Sequence, residues 1–302
     1  MAATHVVATV FLECQAMYRQ HGPAEMAPIG EVEFVNGIAA MSASGHYGPC
    51  RVAEAIIGHA DLTLGARVRD VLEAQMAVGG GRFRGIRYGV AWDGSAAVGK
   101  YVSRVVPPHL VRDATFREGF AQLARLGLSF ESWQYHPQLP DAIDLARAFP
   151  DTTMILNHVG GVLGVGPYAR KRAEILAGWK KDMFELAKCP NVHVKLGGIG
   201  MTSFGFDFHE RDVPPSSEEL AAAWRQYVEP CIEGVRSRAL HVREQLPAGQ
   251  AVVRLHRAVE CVQAHHCRGI GRGKAGALQR DRCARVPADG ALNRCAAACW
   301  SP

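Results

Sequence analysis

The chain has 302 residues, of which 48% are hydrophobic and 21% charged, and its net charge is +5 at pH 7. These values are typical of a soluble globular protein with a sizeable core. No run of about 18 apolar residues is present, and the N-terminus lacks the basic region, apolar segment and cleavage site of a signal peptide. We therefore expect a cytosolic chain that has no membrane span.

Short segments rich in β-branched residues predict five strands in the first 200 residues. In chain order they are HVVATVFLEC (5–14), FRGIRYGVAW (83–92), LSFESWQY (128–135), TTMILNHVG (152–160) and NVHVKLGG (191–198). The segments PDAIDLARAF (140–149) and AEILAGWKKDMFELAKC (173–189) repeat apolar residues every three to four positions, as helices do. Alternating strands and helices predict a parallel sheet with helical crossovers.

The glycine motifs of nucleotide-binding sheets are missing from the chain. Neither GxGxxG after a strand nor GxxxxGK[ST] occurs, and the glycines of VGGGRFRG (78–85) precede a strand, as a loop would. A (β/α)8 barrel fits the pattern better than a nucleotide-binding sheet. Its site is built at the carboxyl ends of the strands.

Four polar residues stand at the ends of predicted strands: Glu13, His136, His158 and Lys195. Each has an alternative structural explanation. A single histidine at a strand end is more often a structural residue than a ligand, although two histidines on successive strands make a site as plausible. A lysine inside an apolar strand is costly to bury without a partner, but its ammonium group can also extend to the barrel mouth.

Two arginines of RFRGIRYG, Arg84 and Arg87, are three positions apart and therefore lie on opposite faces of a strand. At most one of them faces the site, where its guanidinium group would bind a substrate carboxylate. A surface salt bridge is an equally plausible role.

The composition changes abruptly at Gly234. Residues 1–233 carry 22 Lys and Arg against 25 Asp and Glu, whereas residues 234–302 carry 12 against 4. All Phe and Tyr residues precede Gly234, and five of the nine cysteines follow it. The four earlier cysteines are scattered, which favours reduced thiols over a disulfide framework.

Three explanations of this tail are open, of which the first two are weak. A metal site would use residues whose spacing does not match structural zinc sites, namely Cys261, His265, His266, Cys267 and Cys283. An arginine-rich arm for nucleic acid would lack both a motif and interleaved aromatic residues. We therefore expect no nucleic-acid partner.

The third explanation is a shift of reading frame. Synonymous codons for GVRSRALHVREQLPAGQ, read one nucleotide further on, spell a protein-like sequence that includes RCMFESNFPPDK and continues without a stop to about residue 288. We predict a barrel domain in residues 1–233 and a frameshifted tail in residues 234–302. The tail has too little apolar content to offset the cost of ordering, so we predict that it is disordered.

Several of these segments together resemble the amidohydrolase-related family of metal-dependent TIM-barrel hydrolases. They are RFRGIRYG, LSFESWQYHPQLPDAIDLARAFPDTTMILNHVGG, NVHVKLGGIGM and the frame-restored RCMFESNFPPDK. The resemblance implies an incomplete (β/α)8 barrel in which His136 and His158 reach the site. It also implies that a divalent metal, zinc for example, or a metal-free polar site assists the attack of water on a carbonyl carbon.

Two features depart from the family pattern. The HxH metal motif of the first barrel strand is absent, so we expect that the chain starts at the second strand. The acidic residue of the last strand falls in the frameshifted region, where the restored peptide has Asn. We expect catalysis by His158 and His136, with Glu13, Arg84, Arg87 and Lys195 binding a small-molecule substrate.

The leading hypothesis for function is hydrolysis of a lactone or related carbonyl substrate. A decarboxylase, which is a C–C lyase, on the same scaffold and an inactive, truncated gene product are the alternatives. The fold alone does not identify the substrate.

Overall fold

The computed structural model describes residues 6–102 and 104–242. Its six strands are β1 (Ala8–Leu12), β2 (Arg51–Gly58), β3 (Phe83–Gly89), β4 (Ser129–Trp133), β5 (Met154–Leu156) and β6 (Val192–Val194). All neighbouring strands pair in parallel, and their order in the sheet is their order in the chain. Sequential parallel pairing is the topology of a (β/α)8 barrel.

Helices connect the strands and cover one face of the sheet. They are α1 (Ile29–Ala43), α2 (Val68–Val78), α3 (Ala96–Gly99), α4 (Ala114–Arg125), α5 (Leu139–Ala148), α6 (Arg172–Leu186) and α7 (Ser217–Val242). Among the described strands β1 and β6 are not paired with each other, so the sheet is a curled, open part of a barrel. The predicted fold class, an incomplete TIM-like barrel, is confirmed.

Amphipathic helices pack on the sheet through a continuous apolar core. On α4, Phe116, Phe120 and Leu123 are fully buried, and Phe120 makes an edge contact with Phe130 of β4 at 4.9 Å between ring centroids. The side chain of Asp113 accepts a hydrogen bond of 2.8 Å from the Phe116 amide and so caps the first turn of α4. This packing fixes the strand ends from which the site side chains extend.

Strand β2 was not predicted from the sequence. Its residues RVAEAIIG include Glu54 and two alanines, so the segment lacks the β-branched run that marks the other strands. The strand forms because Ile56 and Ile57 are completely buried between the neighbouring strands and the helices.

The buried carboxylate of Glu31, in the first turn of α1, shapes the loop after β1. Its Oε1 accepts hydrogen bonds from the amides of Cys14 at 3.0 Å and Ala16 at 2.8 Å. Gln15 and Met17 have positive φ values of 63° and 53°. Both amides donate to one carboxylate oxygen, so Glu31 holds the loop that begins with Glu13.

The predicted domain boundary at residues 233 and 234 falls inside α7. Most of the predicted frameshifted tail, including the five Cys and His residues weighed as metal ligands, lies outside the described residues. The division of the chain therefore stays a prediction. No described helix combines the length and the apolar composition that a bilayer crossing requires.

Candidate active site

The predicted polar residues lie at the carboxyl ends of the strands. Glu13 directly follows β1, Lys195 directly follows β6, and Arg87 is near the end of β3. His136 and His158 each begin a short 3-10 turn beyond β4 and β5. Because the carboxyl ends of parallel strands meet at one edge of the sheet, all five residues share that edge.

Arg87 and Glu13 form an ion pair that spans β2. Arg87 Nε donates a hydrogen bond of 3.0 Å to Glu13 Oε1, and Arg87 Nη2 donates to the Glu13 backbone carbonyl. The side chains are only 20% and 13% exposed, so the pair is shielded from much of the solvent. Arg87 thereby fixes both the side chain and the backbone of Glu13.

Lys195 forms a second ion pair, with Glu131 of β4. Lys195 Nζ donates to Glu131 Oε2. The Glu131 side chain is 4% exposed, whereas that of Lys195 is 34% exposed and so reaches solvent at the site. Burial lowers the pKa of the Lys195 ammonium group, Glu131 opposes this change, and the nearby charge of Arg87 adds to it.

The two ion pairs are neighbours. The strand register pairs Arg87 directly with Glu131, so the charges alternate in sign along Glu13, Arg87, Glu131 and Lys195. We call these four residues the charged row. Each charge has opposite charges beside it, which offsets the desolvation cost of placing ions against an apolar sheet.

His136 is held as a neutral imidazole. Its Nδ1 accepts a hydrogen bond of 3.2 Å from the Leu163 amide, which places the ring proton on Nε2. Burial lowers the pKa of His136 to about 4, and the charge of Asp93 opposes this change. His136 is therefore a neutral hydrogen-bond donor at pH 7.

In His158 the same ring nitrogen is a donor. Its Nδ1 lies 3.3 Å from the Gly197 carbonyl oxygen, to which only a protonated Nδ1 can donate. A Cβ atom on Gly198 would lie 2.1 Å from His158 Nδ1, so only glycine fits beside the ring. His158 and Val159 both have positive φ values, 54° and 49°.

Arg84 is the predicted residue that does not join the others. Its Nη1 donates a hydrogen bond of 3.2 Å to the backbone carbonyl of Phe83, whereas Arg87 on the same strand belongs to the charged row. The structure therefore brings together Glu13, Arg87 and Lys195 and leaves Arg84 apart from them.

Two residues of this edge, Glu131 and Asn157, were not predicted from the sequence. Glu131 lies inside the predicted strand LSFESWQY, and its acidic side chain is explained only by Lys195, 64 residues later. Asn157 follows β5, is 1% exposed, and neither atom of its amide group has a hydrogen-bond partner in the described residues. By strand alternation Asn157 lies on the same face as Ile155, which pairs with Glu131.

The described side chains do not form a divalent metal site. No group of three or more His, Cys, Asp and Glu residues converges within the part of the chain that the structure describes. The carboxylates of Glu13 and Glu131 are paired with Arg87 and Lys195 instead. The donor set at this edge does not fit the zinc ion that the family resemblance implies.

A parallel (β/α) sheet with charged and imidazole side chains at its carboxyl edge places this protein in the TIM-barrel class. The family model described as amidohydrolase matches residues 18–236, so the chain belongs to the amidohydrolase family. The resemblance stated from the sequence motifs is confirmed.

Relatives of the chain include proteins of two bacteria. The uncharacterized protein y4mH of Sinorhizobium fredii is 33% identical over 197 residues, which cover 65% of this chain and 58% of that protein. The chain thus spans less than two thirds of this relative.

Two crystal forms of an amidohydrolase from Burkholderia multivorans are also similar. The form with bound zinc has 23% identity and a TM-score of 0.47, over 68% of this chain and 60% of that chain. The form with bound HEPES has 19% identity and a TM-score of 0.44, over 76% and 79%.

Proposed function

We propose that this scaffold hydrolyses a lactone or another cyclic ester through attack of water on the carbonyl carbon. The observation that carries the proposal is the charged row. It places a carboxylate, Glu13, and a partly exposed ammonium group, Lys195, at the edge of the sheet where TIM-barrel enzymes build their sites. A base and a cation are the two groups that ester hydrolysis needs.

Glu13 is the proposed general base. Its Oε1 is held by Arg87, while Oε2 accepts no hydrogen bond from the described residues and is available to accept a proton from water. The contact of the Arg87 guanidinium group with the Glu13 carbonyl fixes the direction of the side chain.

Lys195 is the proposed oxyanion-stabilising group. Glu131 anchors its ammonium group, and the two remaining N–H bonds can point toward the carbonyl oxygen, where negative charge develops in the transition state. The Nε2–H group of His136 is the second proposed donor to that oxygen. His158, beyond the carboxyl end of β5, is proposed to orient the attacking water.

The reaction balances with these groups alone. Water adds to the carbonyl carbon, and its proton goes to Glu13. The ring C–O bond then breaks, and the leaving alkoxide takes the proton back from Glu13 to give a hydroxy acid. A substrate carboxylate, if present, would bind Arg87 as the sequence analysis proposed.

The test is a panel of lactones assayed for acid release at pH 7 to 8. We expect turnover in a chain extended upstream and returned to the predicted frame after Glu233, and none above background in the 302-residue chain. In the active form, Glu13→Gln, Lys195→Met and His158→Ala should each lower kcat/KM by about a hundredfold. Wild-type rates in these variants would contradict the proposed roles.

Matched control variants separate these roles from general effects on the surface. Glu33→Gln and Lys188→Met remove a carboxylate and an ammonium group that are paired on the exterior, with Arg19 and Glu185. Both should keep full activity. Failure of every lactone, together with release of carbon dioxide from a carboxylated substrate, would instead support the decarboxylase alternative.

A further inference from the structure

A cavity of about 350 Å³ lies at the carboxyl edge of the sheet, between the loops that follow β3, β4 and β5. Trp92 follows β3, Pro137 follows β4, and Pro167 and Tyr168 lie on the loop after β5; all four line the cavity. Trp92 is 39% exposed although it is large and apolar. The volume lies within the range of small-molecule pockets, and aromatic and proline rings form much of the lining.

The carboxylate of Asp93, which also lines this cavity, is held in a fixed position. Asp93 Oδ2 accepts a hydrogen bond of 2.7 Å from the Tyr168 hydroxyl, and Oδ1 accepts one of 2.8 Å from the Ser95 amide. A carboxylate has about four acceptor positions, so two remain for a ligand. Burial raises the pKa of Tyr168 to about 12, and the hydrogen bond to Asp93 adds to this, so Tyr168 stays a donor at pH 7.

The rest of the lining is already engaged or uncharged. Gln138 accepts from the Trp92 amide at 2.9 Å and donates to the Val90 carbonyl at 2.6 Å, so its amide group braces the wall. His109, at the rim, contacts Asp141, which also pairs with Arg112. None of the described residues that line the cavity is Lys or Arg. An anion would therefore find no Lys or Arg in the lining and would meet the carboxylate of Asp93.

We propose that this cavity binds a flat ring, neutral or cationic, that carries N–H or O–H donors directed at Asp93, and that it excludes carboxylate-bearing rings. Trp92 and Tyr168 supply aromatic faces against which the ring packs, and the Asp93 carboxylate accepts hydrogen bonds from its N–H or O–H donors. None of the lining residues takes a step in the proposed ester hydrolysis, although the Tyr168 ring contacts His136, so the binding site does not rest on that proposal.

Three probes of equal shape and different charge test the proposal on the 302-residue chain: benzamidine, benzamide and benzoate. Dissociation constants are measured by ligand-observed saturation-transfer NMR, with tryptophan fluorescence as a second signal. Benzamidine should bind at least about tenfold more tightly than benzoate, with benzamide between them. Equal or tighter binding of benzoate, or no saturable binding of any probe, would overturn the proposal.

Substitutions locate the site. Asp93→Asn should reduce the preference for benzamidine over benzoate to about threefold or less, and Trp92→Ala should weaken all three probes by a similar factor of about five or more. Tyr168→Phe keeps the ring and frees an acceptor position on Asp93, so the preference for benzamidine should persist. If Tyr168→Phe also loses the preference for benzamidine, that preference depends on the fold of the loop and not on the Asp93 carboxylate.

The control is Asp70→Asn, which removes an exposed carboxylate from the outer helix α2. It should leave all three dissociation constants unchanged. Trp92→Phe, a milder change, should retain more of the binding than Trp92→Ala, and circular dichroism verifies the fold of each variant. A preference for benzamidine that Asp70→Asn abolishes, or that Asp93→Asn leaves intact, would refute the assignment.

Discussion

The charged row and the neighbouring cavity use opposite ways of placing polar groups at the same edge of a sheet. In the row, four ions of alternating sign neutralise one another across four strands. In the cavity, a single carboxylate, Asp93, is held by two neutral donors and no cation. The charges of the row thus compensate one another, whereas the Asp93 carboxylate in the cavity keeps unused acceptor positions for a ligand.

Because of this difference, substitutions in the two regions should have different consequences for stability. Removing one ion from the row leaves its partner uncompensated, so the damage spreads to a group that was not changed. Removing a neutral donor from the cavity affects one hydrogen bond to a carboxylate that keeps another. Stability measurements should therefore show coupled effects in the row and small, local effects in the cavity.

The largest effect is expected for Glu131→Gln. The variant leaves the Lys195 ammonium group beside Arg87 without its carboxylate, and we expect the free energy of unfolding in urea to fall by about 3 kcal/mol. The double variant Glu131→Leu with Lys195→Met removes both ions and should lose about 1 kcal/mol or less. Equal losses in the two variants would show that the ions are not coupled.

A control for this comparison is the exposed ion pair cluster of Arg147, Glu185 and Lys188. Glu185→Gln removes a carboxylate from two cations, as the row variant does for one. Because these side chains are solvated, the variant should leave the unfolding free energy almost unchanged.

The next effect concerns pH and His136. The pKa of His136 in the folded chain, about 4, lies below its unfolded value near 6.5, so protonation favours the unfolded chain. The stability is complete above pH 6.5 and falls as pH decreases toward 4, by on the order of 3 kcal/mol in total. His136→Gln, which can still accept from the Leu163 amide, should flatten this part of the pH profile.

The measurement compares urea unfolding of the two proteins between pH 4 and pH 8. His21→Gln, at an exposed histidine, serves as the control and should follow the wild-type curve. Parallel curves for His136→Gln and wild type would show that His136 is not the group responsible.

The smallest effect is expected for Tyr168→Phe. The change removes the hydroxyl donor to Asp93 and keeps the ring against His136, with which it makes an edge contact at 5.3 Å. Loss of one hydrogen bond to a carboxylate costs about 1 to 2 kcal/mol. We expect a decrease in Tm of a few degrees by calorimetry. A loss as large as that of Glu131→Gln would contradict the distinction between the two regions.

The parts of the fold that follow local rules were predictable from the sequence. Strands such as MIL in β5 and helices such as α5 carry the periodicity of their own secondary structure. Strand β2 was missed because its identity depends on burial between β1 and β3, and a local window does not contain that information.

The candidate site shows the same limit. Glu13 and Lys195 could be predicted at this edge because each is polar at the end of an apolar strand, whereas the sequence did not favour Arg87 over Arg84. Glu131 was missed because its partner Lys195 is distant in sequence. Asp93 was missed for a related reason: its role depends on Tyr168, 75 residues away on another loop. Two residues that only the fold brings together leave no recognisable pattern in the sequence of either segment.

The backbone at His158 and Val159 has a consequence for how this protein can change over evolutionary time. Two successive non-glycine residues with positive φ cost of order 1 to 3 kcal/mol each. Glycine at position 158 would relieve part of this cost and should raise the thermal midpoint, while removing the imidazole from the site. Selection for stability alone would therefore favour loss of His158. A lineage that keeps this histidine would be under selection for the function of its imidazole group.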